Sequence, residues 1–384
     1  MDSSAQPGGR ALSLAAVMVS TVGVGVSYGI GYPITALGFE RWGAPDWLTG
    51  LAGSAPALGV LLCLPFFPAL VARIGMVAAM ALGCAIVAGG FVLMPLLASP
   101  HAWLLIRFAM GAGLALPWLV GETWINTVTT DATRGRMLAL YSIALFSGFA
   151  AGPLVLEATG ISGWRPFAIG AGGILLAVLP ILAARSLAPA MAERGETGVF
   201  GAFWLAPAAM LGGAIGGLLE MGHFAMLPVY ALQTGSPEHE ALRLLSVFMI
   251  GGMALQPAIG WLADRASAYR VMFFSAFAFG VVVLALPLAP SGAPRLAAVF
   301  LIGGIAIGFY TLALAHIGQR VRPGELSVAN AAFLMSYQVG ALTGPGVAGA
   351  AMALWPPQGF VAAMVLAAAL GAWALGAAAP TRRD

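Results

Sequence analysis

Lysine is absent from this 384-residue chain, and all 17 basic side chains are arginines. Charge of either sign is scarce: 8% of residues are charged, against 60% hydrophobic. So little polar material cannot cover a water-soluble protein of this size. The net charge of +3 is small and scattered, which excludes the basic patch that a nucleic-acid partner requires. The two cysteines, Cys63 and Cys84, lie in apolar runs without CxxC spacing, so neither a disulfide framework nor a cysteine metal site is expected. There are only four histidines, and HExxH, GxSxG and a nucleotide-binding glycine loop are missing. An enzyme is therefore not expected, nor is a cofactor. With no ATP-binding segment, any work draws on an ion gradient, in which one charge crossing 100 mV gains about 2.3 kcal/mol.

What the chain does have is long apolar runs, with a mean hydropathy of +0.95. A run of about 20 residues crosses a hydrocarbon core of about 30 Å. Twelve such runs occur, over 12–37, 46–71, 75–98, 102–126, 136–159, 166–187, 202–233, 241–263, 270–290, 294–317, 326–350 and 355–379. The stretch before the first is short and polar, and eleven spans follow it, so the first span is expected to be a retained helix and not a cleaved signal. Placing both termini in the cytoplasm puts twelve arginines on the inner side and only Arg41, Arg165, Arg243 and Arg295 outside. That asymmetry predicts a multi-pass protein of a bacterial inner membrane with both ends cytoplasmic. Trp42, Trp47, Trp103, Trp164, Trp204, Trp261 and Trp355 fall near span ends, where an amphipathic ring prefers the headgroup zone.

The chain also repeats itself. A shift of 192 residues lays Pro65 on Pro257, Leu70 on Leu262 and Arg73 on Arg265 without a gap, and "GFAAGP" (148–153) in the fifth span is echoed by "GALTGP" (340–345) in the eleventh. Two parallel repeats of six helices describe a transporter architecture. The predicted organisation is an N-terminal six-helix bundle over 1–187, a linker over 188–201 and a C-terminal bundle over 202–384.

Polar residues at membrane depth are the candidate working parts, because a charge there costs roughly 2.5–3.5 kcal/mol to insert. Arg107, Gly111, Leu114, Trp118 and Glu122 share one helical stripe, with the two charges about 22 Å apart by helix rise. Glu220 lies near the middle of the seventh span, with His223, Leu227 and Tyr230 on the same face. Burial disfavours a charged carboxylate and a nearby cation favours it, so its protonation can follow hydration. Glu220 is the leading candidate for proton coupling, with Arg107, His223 and Glu122 assisting, or else for a structural pair with a histidine or arginine. Further polar or aromatic residues at depth are Tyr28, Tyr32, Gln256, Tyr310, His316, Asn330, Tyr337 and Gln338. Gly212, Gly213, Gly216 and Gly217 open small-residue faces for close helix contact.

Several motifs carry a family resemblance. Gly260, Asp264 and Arg265 are similar to the loop signature G-x-x-x-D-[RK]-x-G-[RK]-[RK] of the major facilitator superfamily, with Ser267 in place of its trailing glycine. In the first half Pro68 and Ala72 replace the glycine and the acid, while Arg73 and Gly75 survive. "RFAMGAG" from Arg107 resembles the family's R-x-x-Q-G-x-G, with Met110 at the glutamine. Gly148, Gly152 and Pro153 match half of the signature of the drug/proton antiporter branch, whose remainder is replaced by Val155, Leu156 and Glu157. The resemblance spans nearly the whole chain.

It implies two six-helix bundles that rock about a midplane cavity lined by spans 1, 4, 7 and 10. Asp264 would then pair across to a neighbouring helix and latch one conformation, with Arg265 and Arg73 as further gate residues, and Gly152 with Pro153 would form a bending point. Arg107 is associated in the family with proton transfer. Substrate contacts are expected from Tyr28, Tyr32, Trp118, Tyr310, His316 and Gln338, and the low charge of that set suggests an amphipathic organic substrate. The expected function is proton-coupled efflux of a small amphipathic molecule, by a protein working as a monomer in the bilayer. Proton-coupled uptake of a metabolite or vitamin is the alternative, followed by a non-transporting receptor and a metal permease. Met221, His223 and Met226 do not share a helical face, and no metal ligand set is assigned.

Overall fold

The computed structural model describes residues 7–129, 131–189, 199–322 and 325–378. Among them are twelve long helices: α1 (Pro7–Arg41), α2 (Asp46–Ile74), α3 (Met76–Leu96), α4 (Pro100–Val128), α5 (Asp131–Thr159), α6 (Arg165–Ala183), α7 (Pro207–Gln233), α8 (Glu238–Arg265), α9 (Ala268–Ala285), α10 (Ala293–Arg320), α11 (Leu326–Leu354) and α12 (Gln358–Ala377). Eleven are apolar and long enough to cross a bilayer. The other, α11, has 29 residues but carries Asn330, Ser336, Tyr337 and Gln338 in its first half, which lowers its hydropathy. Each helix lies where an apolar run predicts one, and several continue into the polar flanks, as α1 does out to Pro7 and Arg41. The middle of the expected linker, 190–198, and both chain ends lie outside the described residues.

One expected span differs in kind. Instead of a single helix over 46–71, α2 is α-helical to Cys63, tightens into a 3-10 turn over Leu64–Phe66 and resumes at Phe67. Pro65 and Pro68 each remove a backbone donor and crowd the carbonyl one turn earlier, which breaks the ladder there.

The chain forms two compact units, one of residues 1–38 and 55–194, the other of 39–54 and 195–384. The second therefore takes in the adjoining ends of α1 and α2. There Arg41 pairs with Glu238 at 2.7 Å, Gln233 donates to Asp46 at 2.9 Å, and the Gly346 amide donates to the Ser54 hydroxyl at 3.1 Å.

Within each unit the close helix crossings repeat at the spacing found in the sequence. A Cβ added at Gly25 would overlap the Leu145 carbonyl oxygen, and one at Gly217 would overlap that of Tyr337. The same holds for Gly59 against Phe108 and Gly251 against Phe300, and for Gly148 against Val22 and Gly340 against Ala214. Both members of each contact are displaced by 192 residues between the units. Helix pairs α1/α5 and α2/α4 of the first unit thus correspond to α7/α11 and α8/α10 of the second. Glycine is required at these places because the backbones themselves touch, which is how helices gain packing energy where lipid supplies no hydrophobic drive.

Candidate functional site

In the second unit, α7 carries Glu220 with its side chain 1% exposed. Oε2 accepts a hydrogen bond from the Tyr337 hydroxyl of α11 at 2.8 Å, while Oε1 is buried without a partner. The α7/α11 crossing at Gly217 and Gly340 is what brings α11 close enough for that bond. Tyr310 of α10 stands edge-on to Tyr337, with ring centroids 5.4 Å apart, and to Phe333 at 4.9 Å.

One turn further along α7, His223 is completely buried. Its Nδ1 lies 2.8 Å from the Leu219 carbonyl, which can only accept, so Nδ1 carries the proton and Nε2 is left without a partner. Phe248 stacks on the ring at 5.5 Å, and Phe279 and Phe360 meet it edge-on at 5.4 and 4.8 Å. The two polar residues of α7 are therefore not joined: neither nitrogen of His223 bonds Glu220.

The first unit has a different chemistry at corresponding places. Tyr28, 192 residues before Glu220, stacks on Tyr32 at 5.7 Å and meets Phe149 at 5.1 Å and Trp118 at 6.5 Å. Trp118, the counterpart of Tyr310, donates its indole N–H to Glu122 at 2.7 Å. Arg107 is 1% exposed, lies over the Tyr32 ring at 4.4 Å and leaves Nε and Nη2 without hydrogen-bond partners. Gly31 makes room for it, since a Cβ there would stand 2.6 Å from Nη1. In the second unit the positions equivalent to Arg107 and Gly31 are Val299 and His223. The buried nitrogen group is thus supplied by α4 in one half and by the first helix of the repeat in the other.

The remaining predicted residues separate. Tyr28, Tyr32, Trp118 and Glu122 come together with Phe149 in the first unit; Glu220 and Tyr310 are linked through Tyr337 in the second. His316 sits near the end of α10, against a small cavity with Arg320 and the start of α7. Gln338 is half-buried, beside the Tyr337 that reaches Glu220. Arg73, Asp264 and Arg265 are exposed; Arg265 covers the Trp261 ring at 4.1 Å, and no ion pair to Asp264 occurs among the described residues. Gly152 packs directly on Gly29 of α1, and Pro153 lies within an unbroken α5. Gln256 of α8 accepts a hydrogen bond from Thr311 and donates to the Gly252 carbonyl at 2.7 Å. A lateral cavity of about 580 Å³ between α7, α11 and α12 offers only Thr343 as a polar side chain, too little to orient a ligand. Among the described residues no three His, Cys, Asp or Glu side chains come together as metal ligands.

Sequence reasoning missed the phenylalanine cage of His223 and the pairing of Tyr337 with Glu220. Tyr337 stood out as a hydroxyl at membrane depth, and the glycines at 217 and 340, matched by the repeat, were the available signal for that crossing.

Comparison with known proteins accords with this geometry. An uncharacterised MFS-type transporter of Enterobacter sp. (strain 638) is 28% identical over 305 residues, covering 78% of each chain. The uncharacterised MFS-type transporter YfkF of Bacillus subtilis (strain 168) is 27% identical over 333 residues, covering 85% of each. Among solved structures, a mutant of the nucleoside transporter NupG superposes with a TM-score of 0.78 at 16% identity, covering 96% of this chain and all of that one. A bacterial homologue of the human lysosomal transporter Spinster, inward-facing and occupied, gives 0.73 at 16% identity, covering 97% of both. The sequence pattern of the Major Facilitator Superfamily matches residues 11–238 and again 209–384. With its twelve helices in two repeated six-helix bundles and pattern matches that together run from residue 11 to its last, the chain belongs to the Major Facilitator Superfamily, as a bacterial membrane transporter of small molecules.

Proposed function

We propose that this transporter is proton-coupled, that it carries a small amphipathic organic molecule, and that Glu220 is its coupling carboxylate. The observation that carries the reading is the state of Glu220: fully buried at membrane depth, held by one hydroxyl and with its second oxygen unpartnered. An uncompensated charge in such a place costs several kcal/mol, so holding a proton goes with burial and releasing it goes with hydration. A carboxylate that alternates between the two couples a gradient to the conformational cycle. The first unit supports the substrate side of the proposal. Tyr28, Tyr32 and Trp118 form an aromatic surface for the apolar body of a substrate, and Glu122 and Arg107 are the polar groups that flank it.

The caged His223 is assigned to positioning α7 and not to proton transfer, because its Nδ1 is bonded to the Leu219 carbonyl and its Nε2 is buried without a partner amid three phenylalanine rings. Export is supported by the low charge of the aromatic surface. The "GFAAGP" fragment adds nothing to that direction, since its glycines and those of "GALTGP" serve the same helix crossing in both halves. The arginine asymmetry supports cytoplasmic termini.

The test uses proteoliposomes with an imposed pH gradient and a panel of fluorescent amphiphiles. Glu220→Gln is expected to abolish gradient-driven accumulation and its pH dependence while downhill exchange persists. Uphill accumulation by Glu220→Gln with an unchanged pH profile overturns the assignment.

A further inference from the structure

The cavity beside His316 belongs to neither polar cluster described above. It has a volume of about 150 Å³ and lies between the approach to α7 (Leu205, Ala206) with its first residues (Pro207, Ala208), the end of α10 (His316, Arg320) and Ala378, just past α12. That is about half the lower bound of roughly 300 Å³ for organic ligand pockets, so it fits a single small group.

Three hydrogen-bond donors converge on it. His316 is 6% exposed, and among the described residues its imidazole has no hydrogen-bond partner. Arg320, at the exposed end of α10, likewise has no partner for its guanidinium. The 27-residue helix α7 begins here without a side-chain cap; Pro207 has no N–H, and the Ala208 N–H has no backbone acceptor. A helix N-terminus carries roughly half a positive charge, and uncapped N–H groups there bind anions.

The residues that line the cavity differ between the two halves of the repeat. The residue equivalent to His316 is Trp124, which is fully buried and donates its indole N–H to Ser13 at 2.7 Å. Ser13 and Val128 in turn correspond to Leu205 and Arg320. The first half thus closes this site with an indole, a satisfied donor and an aliphatic side chain. The second substitutes a smaller imidazole and a guanidinium, leaving space and unpaired donors.

We infer that the cavity at His316 and Arg320 binds a phosphoryl oxyanion. Arg320 supplies the forked donor suited to two phosphate oxygens, His316 a ring N–H, and Ala208 a backbone N–H at the positive end of α7. The site opens at the helix ends on the side of the membrane where α7 begins and α12 finishes. A phospholipid headgroup and a free phosphate therefore share the required chemistry. The inference is independent of proton coupling and of the substrate.

The experiment uses the purified full chain in neutral detergent. Unfolding temperature and native mass spectra are recorded with inorganic phosphate, with phosphatidylglycerol and with phosphatidylcholine. The variants are Arg320→Gln, His316→Trp, which installs the residue of the first half, and Arg322→Gln as a charge control. Stabilisation by phosphatidylglycerol alone assigns the site to a headgroup, and stabilisation by phosphate as well assigns it to the free anion. Either supports the inference when Arg320→Gln and His316→Trp weaken the effect by about tenfold or more and Arg322→Gln does not. Arg320 is exposed, so its variant reads out binding even if His316→Trp fails to fold. No binding by either anion, or equal binding by wild type and Arg320→Gln, overturns the inference, as does equal loss in Arg322→Gln.

Discussion

The Tyr337 hydroxyl donates to Oε2 of Glu220 at 2.8 Å, joining α11 to α7 across 117 residues of sequence. Among the described residues it is the one hydrogen bond to this carboxylate, whose other oxygen is buried without a partner. Tyr337→Phe keeps the ring against Tyr310 and removes only that donor. Leaving the carboxyl unsatisfied is expected to cost about 1–3 kcal/mol. The unfolding temperature should fall accordingly and gradient-driven transport with it. In a Glu220→Leu background the same substitution should cost little, and a double-mutant cycle without coupling between the two residues would sink the pairing.

Arg107 presents the opposite case, a buried cation with no carboxylate partner among the described residues. Replacing a buried charge by a residue of similar length and no charge is often neutral or stabilising. Arg107→Met is therefore expected to leave the unfolding temperature unchanged or raised, while transport drops at least about tenfold if the guanidinium is used in the cycle. A destabilised protein with normal turnover would instead make it a structural residue.

Backbone contact at the glycine crossings sets a different scale. Gly217→Ala drives a methyl into the Tyr337 carbonyl, whereas a Cβ at Gly260 meets nothing within 4 Å. The first is expected to destabilise by about 1–3 kcal/mol through overpacking. The second, inside α8 with open space beside it, should stabilise by up to about 1 kcal/mol through helix propensity. Thermal unfolding of both variants in one detergent makes the comparison.

Asp264 is exposed and makes no ion pair among the described residues, so Asp264→Asn is expected to leave thermal stability within about 0.5 kcal/mol of wild type. If the acid latches a second conformation, the turnover rate still falls several-fold, because the bond it makes there is lost. Unaltered stability together with an unaltered rate reduces Asp264 to a marker of the helix end.

Helix number and placement were legible in the sequence because crossing a bilayer demands a run of apolar residues that nothing else in the chain imitates. The repeat was legible too, and it extended further than the sequence suggested: the same 192-residue shift governs which glycine touches which carbonyl. The aromatic set of Tyr28, Tyr32 and Trp118 came from the family resemblance, which names spans 1 and 4 as path-lining, together with their position at membrane depth. Tyr337 and the cage of Phe248, Phe279 and Phe360 did not. Their partners lie on other helices, and register on one helix does not reveal which faces meet. His316 shows the same limit from the other side, since belonging to a path-lining helix did not place it with the aromatic set.

The proline break in α2 makes the two halves mechanically unequal. Pro65 has its counterpart in Pro257, yet α8 runs unbroken from Glu238 to Arg265, because the second proline of the first half, Pro68, is replaced there by Gly260. One half thus owns a compliant joint three residues long where its twin has a stiff rod. Under the same force α2 bends at a fixed point near its end, while α8 passes the displacement along its whole length. Two bundles built on one plan are therefore expected to move as a lever with a wrist and a lever without one.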